Sequence, residues 1–260
     1  MLGIFDSGSG GLTIAKALRS LAPLIDIVYF GDTANLPYGE KSQAQIQSLT
    51  LNAMSFLRSQ GSATIVSACN SVSSSVIRPM FDLFGVHSAD VIEMVEPAIK
   101  FLAATKITNV ALLATPATVN SQMYQSAAAQ NNLEMTALAI PDLAKQIEDC
   151  ASNQIILKTI ENALVNIPEN IQTILLGCTH YPLRLNLFES AAKNLGKSFT
   201  FIDPALAVAQ AAILEHGAFG TGQFNLICTK PSPGLEFYSK GLLGINQLRV
   251  LSNRLISNFK

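Results

Sequence analysis

The chain has 260 residues, 49% of them hydrophobic and only 13% charged, and its 17 lysines and arginines against 18 acidic residues leave a formal charge of -1. That length can bury a sizeable core as one large domain or two small ones, with two expected here, and 16 glycines and 11 prolines are too few for a fibrous or disordered chain. Near-neutral charge without a basic block argues against nucleic acid, and the absence of a basic leader or long apolar segment after Met1 argues against a signal peptide and a membrane span.

Leu2–Phe5 is a short apolar run ended by Asp6-Ser7-Gly8-Ser9-Gly10-Gly11, after which Leu12, Ala15 and Leu18 recur at helical spacing. Strand, glycine-rich turn and helix are expected there. Ile27–Phe30 is a second strand leading into the turn formers Gly31-Asp32-Thr33 and Leu36-Pro37-Tyr38-Gly39, and Gln43–Ser59 reads as a helix with Ile46, Leu49, Ala53, Phe56 and Leu57 on one face. Ala63–Val66 is a third strand, stopping at Cys69-Asn70-Ser71. Ser73–Phe84 reads as a helix and Val91–Ile92 as a short strand. Pro97 is expected to keep Glu96 out of a helix, with Ala98–Ala104 helical beyond it.

The pattern then restarts. Val110–Leu113 is a strand ended by Ala114-Thr115-Pro116, Val119–Asn131 a helix, Leu133–Ile140 an extended run, and Leu143–Cys150 and Gln154–Val165 are helices. Ile171–Leu176 is a strand that stops at Cys178-Thr179-His180, followed by a helix over Leu183–Leu195, an extended Ser198–Ile202, and a helix from Asp203-Pro204 to about Leu214. Beyond Gly217, Phe224–Ile227 reads as an edge strand and Leu248–Phe259 as a terminal helix. Strands alternate with helices throughout, which predicts an α/β architecture with mostly parallel sheets. The halves also match in outline, Leu2–Phe5 being answered by Val110–Leu113 and Ala63–Ser67 by Ile171–Leu176.

Cys69 and Cys178 thus stand at two similar strand ends, where open α/β sheets take their ligands. A lone cysteine in an apolar strand is most often a small buried hydrophobe, and Cys150 and Cys228 are read that way. For Cys69 and Cys178 the pairing points to chemistry, with His180 able to exchange a proton near neutral pH and Asp6 and Asp32 supplying carboxylates at strand ends. A hydrolase needs one activated nucleophile, leaving a second thiol unexplained. Two thiols across a cleft suit removal of a proton from one face of a carbon and its return to the other, which inverts a stereocentre. Gly8-Ser9-Gly10-Gly11 lacks the GxGxxG order and no lysine completes a phosphate loop, so no nucleotide is expected. Cys178 and His180 alone do not make a zinc set, so neither metal nor cofactor is expected. Four cysteines without a CxxC read as reduced thiols in the cytoplasm.

The segments Gly3-Ile4-Phe5-Asp6-Ser7-Gly8 with Gly10-Gly11-Leu12-Thr13, Gly31-Asp32-Thr33 with Pro37-Tyr38-Gly39, Ala68-Cys69-Asn70, and Gly177-Cys178-Thr179-His180-Tyr181-Pro182 closely resemble those of the bacterial glutamate racemases of the aspartate/glutamate racemase family. The likeness runs in consistent order from about residue 2 to about residue 230. It implies a cofactor-independent enzyme that interconverts L- and D-glutamate for peptidoglycan, with no nucleic-acid or membrane partner and a homodimeric assembly. It also implies two pseudo-symmetric α/β lobes, residues 1–96 plus 206–260 and residues 97–205, with the active site in the cleft between them. By the same likeness Cys69 and Cys178 are the two acid–base thiols, Asp6 assists the first, His180 the second, and Glu148 is a further carboxylate beside the second. Asp6, Ser7, Pro37, Tyr38, Gly39, Asn70, Ser71, Thr118, Thr179 and His180 match substrate-contacting positions. Ser71 stands where the family commonly has threonine, which keeps the hydroxyl and loses a methyl. Racemisation of aspartate or another acidic amino acid, or closure on an acidic ligand without chemistry, are the alternative readings.

Overall fold

The computed structural model describes residues 1–76 and 90–251. Among them the strands form two parallel sheets. The first contains β1 (Leu2–Asp6), β2 (Ile27–Gly31), β3 (Thr64–Ser67), β4 (Val91–Ile92), β9 (Phe224–Cys228) and β10 (Arg249–Val250), in the order β10-β9-β2-β1-β3-β4. The second contains β5 (Asn109–Ala114), β6 (Glu134–Ala139), β7 (Thr173–Gly177) and β8 (Thr200–Ile202), in the order β6-β5-β7-β8. The order β2-β1-β3-β4 is therefore repeated as β6-β5-β7-β8. This is the duplication anticipated from the strand-edge pattern, now visible as topology.

Every residue of β1, β2, β3 and β7 is buried. Strands covered on both faces read as short, mostly apolar runs without alternation, which makes them legible in the sequence. The covering helices include α1 (Leu12–Leu21), α2 (Gln43–Ser59), α4 (Val95–Ala103), α8 (Asn153–Leu164), α9 (Leu185–Asn194) and α10 (Ala205–His216), and α10 packs on both α1 and α4. Ser42 starts α2 with a reciprocal capping box to Gln45. Among the described residues no helix is long and apolar enough to cross a membrane.

Several sequence expectations need correction. Glu96 is helical, because Pro97 falls in the first turn of α4, where a missing N–H costs nothing, and the Glu93 carboxylate accepts the Val95 and Glu96 N–H groups at 2.6 Å each. The helix expected over Val119–Asn131 is two, α5 (Pro116–Asn120) and α6 (Met123–Gln130), divided at Gln122 with a left-handed φ of 59°. Phe224–Ile227 is not at an edge, since β9 lies between β2 and β10. Arg249 and Val250, expected to be helical, form the edge strand β10, and residues 252–259 of that expected helix lie outside the described residues. The helix expected over Ser73–Phe84 begins earlier, as α3 (Asn70–Ser75), and residues 77–84 lie outside the described ones. A helix not anticipated at all, α11 (Pro233–Leu243), starts from a Ser232 cap with proline in its first turn.

Behind the second strand-end cysteine, Phe188 packs between Tyr181 and Phe201, with ring centroids 5.8 and 5.6 Å away. The Tyr181 hydroxyl donates to the Ile140 carbonyl at 3.2 Å, tying the segment after β7 to the exit of β6. Phe188→Ala should therefore destabilise the protein by about 3–5 kcal/mol. Urea unfolding followed by circular dichroism measures this, and a loss below about 1 kcal/mol would mean that the ring cluster does not hold this segment.

Candidate active site

In each sheet the chain leaves its central strand for one neighbour, then crosses back to pair on the other side. The crevice at such a switch point, beyond the carboxyl ends of the strands, is where open α/β sheets bind ligands. Asp6 ends β1 and Cys69 follows β3; Thr115 follows β5 and Cys178 follows β7. The two crevices open onto one cavity of about 280 Å³. Ser7, Pro37, Tyr38, Gly39, Cys69, Asn70 and Ser71 line it from segments of the first sheet, and Thr115, Glu148, Cys178, Thr179 and His180 from those of the second. Both thiols are 5% exposed. Asp6 and Thr118, also expected at the site, are fully buried behind this lining.

The surroundings of the two sulfurs differ. The Cys69 thiol donates to the Ser7 hydroxyl at 3.6 Å. Burial, and after it the negative charge of Asp6, push this thiol up to about 12, so it holds its proton at neutral pH. Asp6 accepts the Gly8 N–H at 2.7 Å and the Thr179 hydroxyl at 2.9 Å, the latter joining the end of β1 to the residue after Cys178. Burial raises the Asp6 pKa above its ordinary value against the lowering influence of His180.

Cys178 is instead hydrogen-bonded to His180, whose Nε2 lies 2.8 Å from Glu148 Oε2. Burial works against a charge on His180, but the hydrogen bonds to Cys178 and Glu148 and the negative charge of Glu148 prevail and hold its pKa well above the ordinary value. Glu148, 2% exposed, also accepts the Ser9 N–H at 2.9 Å, the Ser9 hydroxyl at 2.6 Å, and the Ser232 hydroxyl. Burial opposes its ionisation, yet these donors and His180 bring its pKa down to about 2. The glycine-rich turn permits this approach. A Cβ on Gly8 would come within 2.7 Å of Glu148 Oε2, and one on Gly10 within 2.8 Å of the Thr179 backbone carbon.

A third group of contacts shapes the floor. Ser71, Thr115 and Thr118 form a chain of hydroxyls with successive spacings of 3.1 Å. Asp32, buried and outside the lining, fixes the Pro37-Tyr38-Gly39 loop by accepting the Tyr38 hydroxyl at 2.6 Å, both Asn35 contacts at 3.0 Å and the Thr229 hydroxyl at 2.9 Å. The sequence pattern gives no site role to Ser9, to Ser232 or to Tyr124, whose hydroxyl donates to Asn70 Oδ1 at 2.6 Å. For Ser232 a signal existed, since serine followed by proline is a helix-start pattern. Among the described residues no group of three or more His, Cys, Asp or Glu side chains is arranged to hold a metal ion.

Residues 12–212 match the model of the Asp/Glu/hydantoin racemase family. The chain is 32% identical over 250 residues to a glutamate racemase of Aquifex aeolicus, covering 94% of each chain. It superposes on a glutamate racemase isoform from Bacillus anthracis with a TM-score of 0.84 at 27% identity, covering 97% of both chains. A glutamate racemase from Francisella tularensis, solved in complex with D-glutamate, gives a TM-score of 0.82 at 30% identity, covering 98% of both.

The buried pair has a pH signature. Ionised Glu148 contributes stability that is complete above its ordinary pKa of 4.5 and is lost as pH falls toward about 2, whereas protonated His180 contributes below its ordinary 6.5 and is lost as pH rises through its higher folded value. The thermal midpoint, measured by circular dichroism across this range, should fall on both sides of a plateau between those ordinary values. Glu148→Gln should flatten the acid limb and bring the alkaline limb to lower pH. An unchanged profile would mean that the pair is not ionised.

Proposed function

The chain belongs to the Asp/Glu/hydantoin racemase family, and we propose that it interconverts L- and D-glutamate by proton transfer at the α-carbon between Cys69 and Cys178. One observation carries this reading: the two thiols line a single cavity from equivalent strand ends of two separate sheets. One sulfur takes the α-proton, the electron pair of the broken C–H bond passes to Cα and the adjoining carboxylate, and the other thiol returns a proton to the opposite face. The different surroundings of the sulfurs support a division of labour. Cys69, protonated and beside Asp6, donates the proton that makes D-glutamate and, once deprotonated, is the base toward that enantiomer. Cys178, beside the His180–Glu148 pair, serves L-glutamate.

The α-hydrogen of an amino acid is a poor acid, so charge developing on the carboxylate must meet oriented donors in a cleft with little water. Ser7, Asn70, Ser71, Thr115 and Thr179 offer uncharged donors along the lining, and the hydroxyl oxygens are also acceptors for the ammonium. We assign residues 1–96 with 206–260 to one lobe and 97–205 to the other, in keeping with the pairing of β9 and β10 into the first sheet. A cytoplasmic enzyme that supplies D-glutamate for peptidoglycan, acting as a homodimer, completes the proposal; four unpaired cysteines are consistent with the compartment, and sedimentation tests the assembly.

In deuterated water the protein should racemise L-glutamate and introduce deuterium at Cα. Cys69→Ser and Cys178→Ser should each lower racemisation by at least about 10²-fold. Near-normal racemisation by either variant would remove the two-thiol mechanism, and a higher kcat/KM for L-aspartate than for L-glutamate would change the substrate.

A further inference from the structure

Asn70 turns the two ends of its amide toward different surroundings. Its Oδ1 accepts the Tyr124 hydroxyl at 2.6 Å, while its Nδ2 is buried without a hydrogen-bond partner and the residue lines the cavity. Asn70 is only 2% exposed. A buried donor with no acceptor is unfavourable, so the orphaned N–H groups mark a position where an acceptor belongs. Tyr124 itself is fully buried and is not part of the lining; it sits in α6 within the apolar core around β5, with Leu112 and Ala128. Burial keeps its hydroxyl protonated, as a donor. Turning the Asn70 amide over would deprive the Tyr124 proton of its acceptor and put Oδ1 where the two unpartnered N–H groups now stand.

We propose that Tyr124 is a positioning residue: by holding Oδ1 it aims Nδ2 of Asn70 at a carboxylate of the bound amino acid. The inference rests on the reading of the cavity as a glutamate site. Tyr124 and Asn70 belong to segments of different sheets, so the hydrogen bond between them also makes the aim of Asn70 depend on how the two halves meet. A tyrosine that only filled the core around β5 would have no need of a hydroxyl reaching across to the first sheet.

Tyr124→Phe keeps the ring and removes the hydroxyl. It should raise KM for both glutamate enantiomers, and Kd for D-glutamate by calorimetry, on the order of tenfold, with kcat changed by less than about threefold. Asn70→Ala should also weaken binding, and adding Tyr124→Phe to it should produce no further change in KM beyond about twofold. Asn70→Asp, which can still accept from Tyr124 but offers the cavity only oxygen, should bind at least as weakly as Asn70→Ala. The proposal is overturned by an unaltered KM and Kd in Tyr124→Phe, by multiplicative effects in the double variant, or by normal binding in Asn70→Asp. The last of these decides the matter if Tyr124→Phe does not fold. A wild-type protein that bound D-glutamate without racemising it would remove the proposed function and leave the Kd comparison to judge Tyr124; one that bound no glutamate would end both.

Discussion

A carboxylate sealed between two sheets is the constraint on which the rest of this molecule depends. Glu148 keeps its charge at 2% exposure only because His180, Ser9 and Ser232 all donate to it. Those donors come from three distant parts of the chain: the turn after β1, the turn after β7, and the start of α11. Withdrawing one partner from a buried charge of this kind is strongly unfavourable, so the set acts as a clamp on how the two halves meet. The same clamp places a positively charged imidazole against Cys178.

Cys69 has no such counterpart. Its neighbours are a serine hydroxyl and a buried carboxylate, and the second of these raises the energy of a thiolate. Equivalent places in a duplicated topology have thus received opposite electrostatics. At rest, therefore, one thiol holds its proton and the other lies beside a cation. Asp6 links the two through Thr179, so neither environment is independent of the other.

The turn Gly8-Ser9-Gly10-Gly11 works as a contact between halves. Its glycines admit Glu148, Thr179 and His180 at distances no side chain would allow, and its Ser9 supplies two of the donors that keep Glu148 ionised. The Tyr124–Asn70 bond also crosses between the halves.

Much of this was readable in the one-dimensional pattern. Both-face burial gives β1, β2, β3 and β7 short apolar runs without alternation, and the abrupt polar endings of β3 and β7 located Cys69 and Cys178. The repeat of strand and helix conveyed the duplication, and ordered short motifs conveyed the family. Errors arose where local rules were incomplete, as with Pro97, acceptable in a first turn, and where a strand such as β10 consists of two exposed residues with no apolar signature. What the folded chain alone decided is which distant groups share one small volume: Ser232 on Glu148, Thr179 on Asp6, Tyr124 on Asn70. Periodicity and turn chemistry act over a few residues and so leave a mark in the sequence. Hydrogen bonds between side chains 54 to 173 residues apart are chosen by how two sheets pack, and no local pattern encodes them.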